Sequence, residues 1–143
     1  MTWVVSEFLQ NKHFGFCGST QTPEVKVFFH VRDFIRTLPG QVGPVPGEQV
    51  LVPDTTKGSR GLFAPQVFRV NPPIRSEGFV VAYDPDKGWG FIRDPSALEE
   101  VFFHRTDLMF FGIPLPGAAV EFTYGNLKGK SRACWVCVGG SNV

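Results

Sequence analysis

The sequence predicts an all-β chain built as two small closed barrels in tandem, and three observations lead there. Short β-branched and aromatic runs recur along the chain, each bounded by Gly, Pro or Asp. The same motifs occur twice, in the same order. No long stretch carries the 3.6-residue period of an amphipathic helix. Pro95 to Glu100 is one weak helical window, and Asp33 to Arg36 and Asp107 to Phe111 admit a single helical turn each.

The strand runs come in order as Val25 to His30, Glu48 to Val52, Phe79 to Tyr83, Val101 to His104 and Val120 to Tyr124. The repeat lies across them. Lys12-His13-Phe14-Gly15-Phe16-Cys17 is echoed by Lys87-Gly88-Trp89-Gly90-Phe91-Ile92, and Val27-Phe28-Phe29-His30 by Val101-Phe102-Phe103-His104. Leu38-Pro39-Gly40 and Val45-Pro46-Gly47 share a shorter counterpart in Leu115-Pro116-Gly117. Each half closes on a Gly-containing turn and an apolar run, Gly58 to Gly61 before Leu62 to Val70 and Lys128 to Ser131 before Ala133 to Val138. Between the halves, Pro72 and Pro73 cannot donate to a sheet and favour a stiff, extended link. The expected domains are therefore residues 1–71 and 75–143, with 72–74 as a short Pro-rich linker.

Composition narrows the function. Apolar residues make up 43% of the 143, enough for packed cores. Phe is unusually frequent at 15, more than a core built on Leu, Ile and Val requires, so some rings are expected to face outward. Net charge is only +1, so a nucleic-acid binder of this kind would rely on stacking with local cations rather than a broad basic surface. No charged tail, secretion signal or membrane-spanning run is visible, and three cysteines without a signal peptide suggest reduced thiols inside a cell. The expectation is a cytoplasmic monomer.

Side chains alternate across a strand, so parity sorts the motifs into two faces. One parity holds Lys12, Phe14, Phe16, Lys26, Phe28 and His30 in the first half, and Lys87, Trp89, Phe91, Arg93, Phe102 and His104 in the second. The other holds His13, Gly15, Cys17, Val25, Val27 and Phe29, and then Gly88, Gly90, Ile92, Val101 and Phe103. The small or aliphatic parity suits a barrel interior. The aromatic and basic parity suits a surface on which unpaired bases stack, with the glycines between the rings leaving the sheet open to a flat base.

At these residues the sequence resembles the cold-shock domain family, shared by bacterial cold-shock proteins and Y-box proteins. Lys12 to Cys17 and Lys87 to Ile92 look like its first ribonucleoprotein motif; Phe28-Phe29-His30 and Phe102-Phe103-His104 look like its second. Two copies cover nearly the whole chain. The resemblance implies two tandem five-stranded OB-fold barrels that bind single-stranded RNA first and single-stranded DNA second, as an RNA chaperone or a post-transcriptional or translational regulator. By position it implies base stacking for Phe14, Phe16, Phe28, Trp89, Phe91 and Phe102, and stacking or hydrogen bonding for His30 and His104. It also implies backbone contact for Lys12 and Lys87, with Phe111 as a loop aromatic and Arg60 as a basic residue of the last turn. The family's Lys-Trp-Phe-Asn run is replaced by Ser6-Glu7-Phe8-Leu9 and by Val81-Ala82-Tyr83-Asp84, so both copies lack that Trp and its Lys. Trp89 in place of the usual Phe enlarges one platform.

Other chemistry fits less well. Cys134-Trp135-Val136-Cys137 has the spacing of half a zinc site, but a structural site needs four ligands and no second pair exists. No nucleophile-base pairing surrounds His13, His30 or His104, and Gly58 to Gly61 lacks the lysine and helix of a phosphate-binding loop. The expectation is no enzyme, no metal and no cofactor. A competing reading from another class is a β-barrel adaptor whose exposed rings bind a protein partner.

Overall fold

Runs rich in Val, Phe and Tyr extend wherever Gly, Pro and Asp do not interrupt them, and their alternation decides which face packs. The computed structural model describes residues 2–36, 41–59, 61–109 and 113–139, with only the backbone of Pro23. Among these lie thirteen strands, two single turns of 3-10 helix and no α-helix. The chain divides into two compact units, Met1–Pro73 with Asn126–Lys128, and Ile74–Gly125 with Gly129–Val143.

In unit 1, β1 (Trp3–Leu9), β2 (Phe14–Ser19) and β3 (Thr22–His30) form an antiparallel meander. There follow β4 (Phe34–Ile35), β5 (Gln49–Leu51), β6 (Thr56–Gly58), β7 (Gly61–Phe63) and β8 (Val67–Arg69), in the sheet order β4-β8-β5-β1-β2-β3-β7-β6. The register shows β5 with β6, and β7 with β8, to be pieces of one hairpin. Gly58 faces Gly61, Thr56 faces Phe63, Leu51 faces Phe68 and Val50 faces Arg69, so no residue is gained or lost across the gaps. Pro53 and Pro65 sit in those gaps, where neither can donate to a ladder. One end of this hairpin pairs with β1 and the other with β3, curling the sheet into a barrel shape whose ladder stays open.

In unit 2 the corresponding strands are unbroken. β9 (Arg75–Asp84), β10 (Trp89–Arg93), β11 (Glu100–His104), β12 (Ala119–Leu127) and β13 (Lys130–Val138) close in the order β10-β11-β13-β12-β9. This is an OB-type barrel. Both units share a β-bulge at the same place, the ladder register to the next strand skipping Ser6 on β1 and Val81 on β9. The helical turns fall earlier than the sequence suggests, at Val31–Asp33 and Arg105–Asp107. Phe34 and Ile35 form a strand instead, because Phe34 is drawn into the core beside Val67. Residues 95–99 hold no helix.

Each unit has its own core, around Val5, Val27, Phe29, Val50 and Val67 in the first and Val80, Ile92, Phe103, Phe122 and Val136 in the second. Val25, on the inward parity, is 40% exposed, because the β2–β3 register shifts between Cys17 and Ser19 and the alternation resets there. In unit 1 the wholly buried Arg69 side chain pairs with Glu48 at 2.7 Å, donates to the carbonyls of Val42 and Gly43, and lies over Phe34. That ties the loop before β5 to the last strand.

Candidate nucleic-acid interface

On β2 and β3 the alternation buries Gly15, Cys17, Val27 and Phe29 and leaves Phe14, Phe16 and Phe28 on the outer face. The adjacent residues Phe28 and Phe29 are 37% and 0% exposed. On β10 and β11 the same alternation buries Gly90, Ile92, Val101 and Phe103 and turns Trp89, Phe91 and Phe102 outward.

The two sets of rings share one geometry. Phe14 and Phe16 meet edge to face at 6.1 Å and 88°, Phe16 and Phe28 at 6.0 Å and 73°, while Phe14 and Phe28 are tilted by 38° at 5.3 Å. Trp89 and Phe91 meet at 5.6 Å and 87°, Phe91 and Phe102 at 6.2 Å and 74°, and Trp89 and Phe102 are tilted by 33° at 6.2 Å. Edge-to-face packing fixes each triad without water-shielded burial, and some ring area stays open. Beneath the triads a second ring pair recurs on the inner side, Phe8 on Phe29 and Tyr83 on Phe103.

His30 and His104 stand directly across from Phe14 and Trp89. Each imidazole caps the 3-10 turn that follows: the Arg32 and Thr106 amides donate to Nδ1 of His30 and His104. With Nδ1 accepting, the neutral ring carries its proton on Nε2. Burial first, then the Arg132 guanidinium, holds the His104 pKa below its usual 6.5. Asp107 is 6% exposed, accepts from the His104 amide and from Arg132 Nε at 2.9 Å each, and burial pushes its carboxyl up.

Lys12 and Lys87 lie in the exposed turns that precede β2 and β10, beyond the strand alternation. These turns are held by one repeated bond, Val31 N–H to the His13 carbonyl and Arg105 N–H to the Gly88 carbonyl, at 2.9 and 2.8 Å. His13 and Gly88 occupy the left-handed region there, with φ of 63° and 76°. Each lysine thus stands at the His-bearing end of its triad. At the other end the cations are paired, Lys26 with Glu7 at 3.6 Å and Arg93 with Glu100 at 2.8 Å. Lys26 also lies over the Phe16 ring. Arg60 and Phe111 lie outside the described residues.

Phe63 and Arg132 are site residues that parity on the motifs does not reveal. β7 and β13 run parallel to β3 and β11, placing Phe63 beside Phe28 and Arg132 beside Phe102. The signal is in the repeat, since Phe63-Ala64-Pro65-Gln66-Val67 matches Arg132-Ala133-Cys134-Trp135-Val136 at its buried Ala and Val. Phe63 walls a concavity of about 660 Å³ with Phe14, Phe16 and Phe28. Arg132 instead spreads its guanidinium over Phe102 at 5.7 Å.

The glycines between the rings do not open the outer face. Gly15 and Gly90 are buried on the inner one, where a Cβ would run into the carbonyl oxygens of Glu7 and Ala82 at the bulges. Their role is close strand approach. Cys134 is buried and Cys137 half-buried. Among the described residues no three of His, Cys, Asp and Glu cluster as a metal site, and no helix is long and apolar enough to cross a membrane.

No protein-family model matches the chain, and no curated protein matches it. Among solved structures it is similar to Drosophila Unr CSD456, at 20% sequence identity and a TM-score of 0.44, over 99% of this chain and 61% of that one. The chain spans about three fifths of that structure's length.

Proposed function

We propose that this chain is a binding protein for single-stranded nucleic acid, RNA first and single-stranded DNA second, and not an enzyme. The observation that carries the reading is the pair of outward ring triads with matched distances and tilts, one in each unit, each with a His and an exposed Lys at one end. A core needs no such repetition on its solvent side. Unpaired bases do use it, because every base offers a π-face to a ring whatever its sequence. The exposed lysines are placed for the backbone of a strand so held. Chemistry of this kind suits an RNA chaperone or a regulator of translation, since stacked bases are kept from pairing.

The test is a titration of the whole chain with short homopolymeric RNA and DNA strands, followed by fluorescence. Trp89 emission should be quenched saturably by single strands and far less by duplex of equal length. An unchanged emission with every single strand tried would sink the reading and leave the outward rings as a face for a protein partner.

A further inference from the structure

The first strand of unit 1 carries a ring that its counterpart in unit 2 lacks, and a concavity lies against that ring. Trp3 stands three residues before the bulge of β1 and faces Val50 on β5; on β9 the same place is Gly78, facing Val120 on β12. No side chain fits at Gly78, where a Cβ would run into the Arg93 carbonyl. Unit 2 takes its core ring from the partner strand instead. Phe122, two residues beyond Val120, is 0% exposed and is covered by Tyr124, which packs on it at 5.0 Å and donates to Asp94. In unit 1 the residue two beyond Val50 is the smaller Val52, and Trp3 packs on the core from β1. Pro53 then interrupts the hairpin, β5 ending at Leu51 and the ladder resuming at Thr56. The place of Tyr124 falls to Asp54, which is exposed.

Trp3 is thus left half-buried beside a concavity of about 430 Å³, whose other boundaries are Leu51, Val52, Pro53, Asp54 and Thr55. None of the triad rings lines it, and Asp54 is the one ionisable side chain among the described residues that do. A carboxylate repels phosphate, so this is no extension of the stacking surface. We infer that the Trp3–Asp54 concavity docks an arginine side chain of a protein partner. A guanidinium is flat and weakly hydrated, so it can lie on the indole while an N–H donates to the carboxylate. Its methylenes would lie along Leu51 and Pro53. A lysine ammonium offers the charge without the flat face. The site goes beyond nucleic-acid binding and stands or falls without it.

The probes are end-blocked tripeptides with Arg, Lys or Leu between two alanines, titrated into the whole ¹⁵N-labelled chain by NMR. The arginine peptide should shift the Trp3 indole N–H and the Asp54 and Thr55 amides saturably, and bind about tenfold more tightly than either of the others. Asp54→Asn, an exposed substitution, should remove most of that preference, and Trp3→Leu should weaken arginine binding about tenfold. The peptide comparison in the unaltered chain and Asp54→Asn decide the matter even if Trp3→Leu fails to fold. Equal binding of the leucine peptide would show a merely apolar hollow and overturn the proposal. Equal binding of the lysine peptide overturns the assignment to arginine, as does undiminished arginine binding by Asp54→Asn. A single strand that quenches Trp89 should leave the Trp3 indole N–H unmoved. Displacement of the arginine peptide by that strand would place the hollow on the nucleic-acid path and overturn the proposal, while the reading of the triads survived.

Discussion

Phe102 and Phe103 are neighbours in sequence, and the alternation of β11 gives them opposite tasks. Phe103 is fully buried and stacked on Tyr83, so Phe103→Ala should leave a cavity costing about 3–5 kcal/mol and unfold much of unit 2. Phe102→Ala should instead leave the urea midpoint of unit 2 nearly unchanged and weaken single-strand affinity by about 1–3 kcal/mol, read by anisotropy of a labelled strand. A folded Phe103→Ala chain would reverse the assignment of faces. His104 adds a pH dependence. Its burial, with Arg132 and Arg105 near and Asp107 opposing them, lowers its folded pKa below the ordinary 6.5. The unfolded chain therefore takes up that proton first as pH falls, and the stability of unit 2 should drop from about pH 6.5 through the depressed folded value. His104→Gln should flatten this part of the profile, with urea midpoints at several pH values read from the Ile92 amide. A profile unchanged by His104→Gln would show that the ring is not desolvated in solution.

At the scale of strands, the bulges and their glycines decide how closely the first two strands of each unit approach. Gly90 lies under the Ala82 carbonyl and against the Phe103 ring, and Gly15 under the Glu7 carbonyl and against Phe8. Backbone cannot yield as a flexible side chain does, so Gly90→Ala should cost at least about 1–3 kcal/mol in unit 2, read from the Ile92 amide in urea. Equal midpoints for the two chains would show that the bulge relaxes to admit a Cβ. These glycines also mark what was legible in the sequence. Period-two alternation placed Phe14, Phe16, Phe28 and their counterparts outward, because strand geometry leaves only two faces. It could not say what the intervening glycines pack against, since that depends on the neighbouring strand. Phe63 and Arg132 stayed hidden for the same reason: their partners Phe28 and Phe102 lie across a parallel pairing that local pattern does not encode. Period-two alternation puts Lys12 and Lys87 on the strands, yet the turns at His13 and Gly88 lift them out of it. Pro53 and Pro65 announced breaks, but not that the hairpin register would continue across them.

Over the whole molecule, weak electrostatics and duplicated stacking surfaces set the terms of binding. Net charge is +1, and Lys26, Arg93 and Arg132 are each engaged by a carboxylate. Few phosphates can be neutralised at once, so the logarithm of affinity should fall with the logarithm of salt at a slope of only about −2 to −4. Each unit by itself should therefore bind modestly. Residues 72–74 join the units through Pro72 and Pro73, a link too short to let one end diffuse far from the other. Once one unit holds a strand, the second contact is intramolecular, at an effective concentration set by that link. A strand long enough to reach both triads should then bind about 10²-fold more tightly than one that saturates a single triad. Phe28→Ala and Phe102→Ala give the control within the intact chain. Each should remove most of the gain from length while leaving short-strand binding at the other unit in place. If affinity stops rising at the length that fills one triad, or either variant keeps the full gain, the units act independently, and one of them is free to serve a different partner.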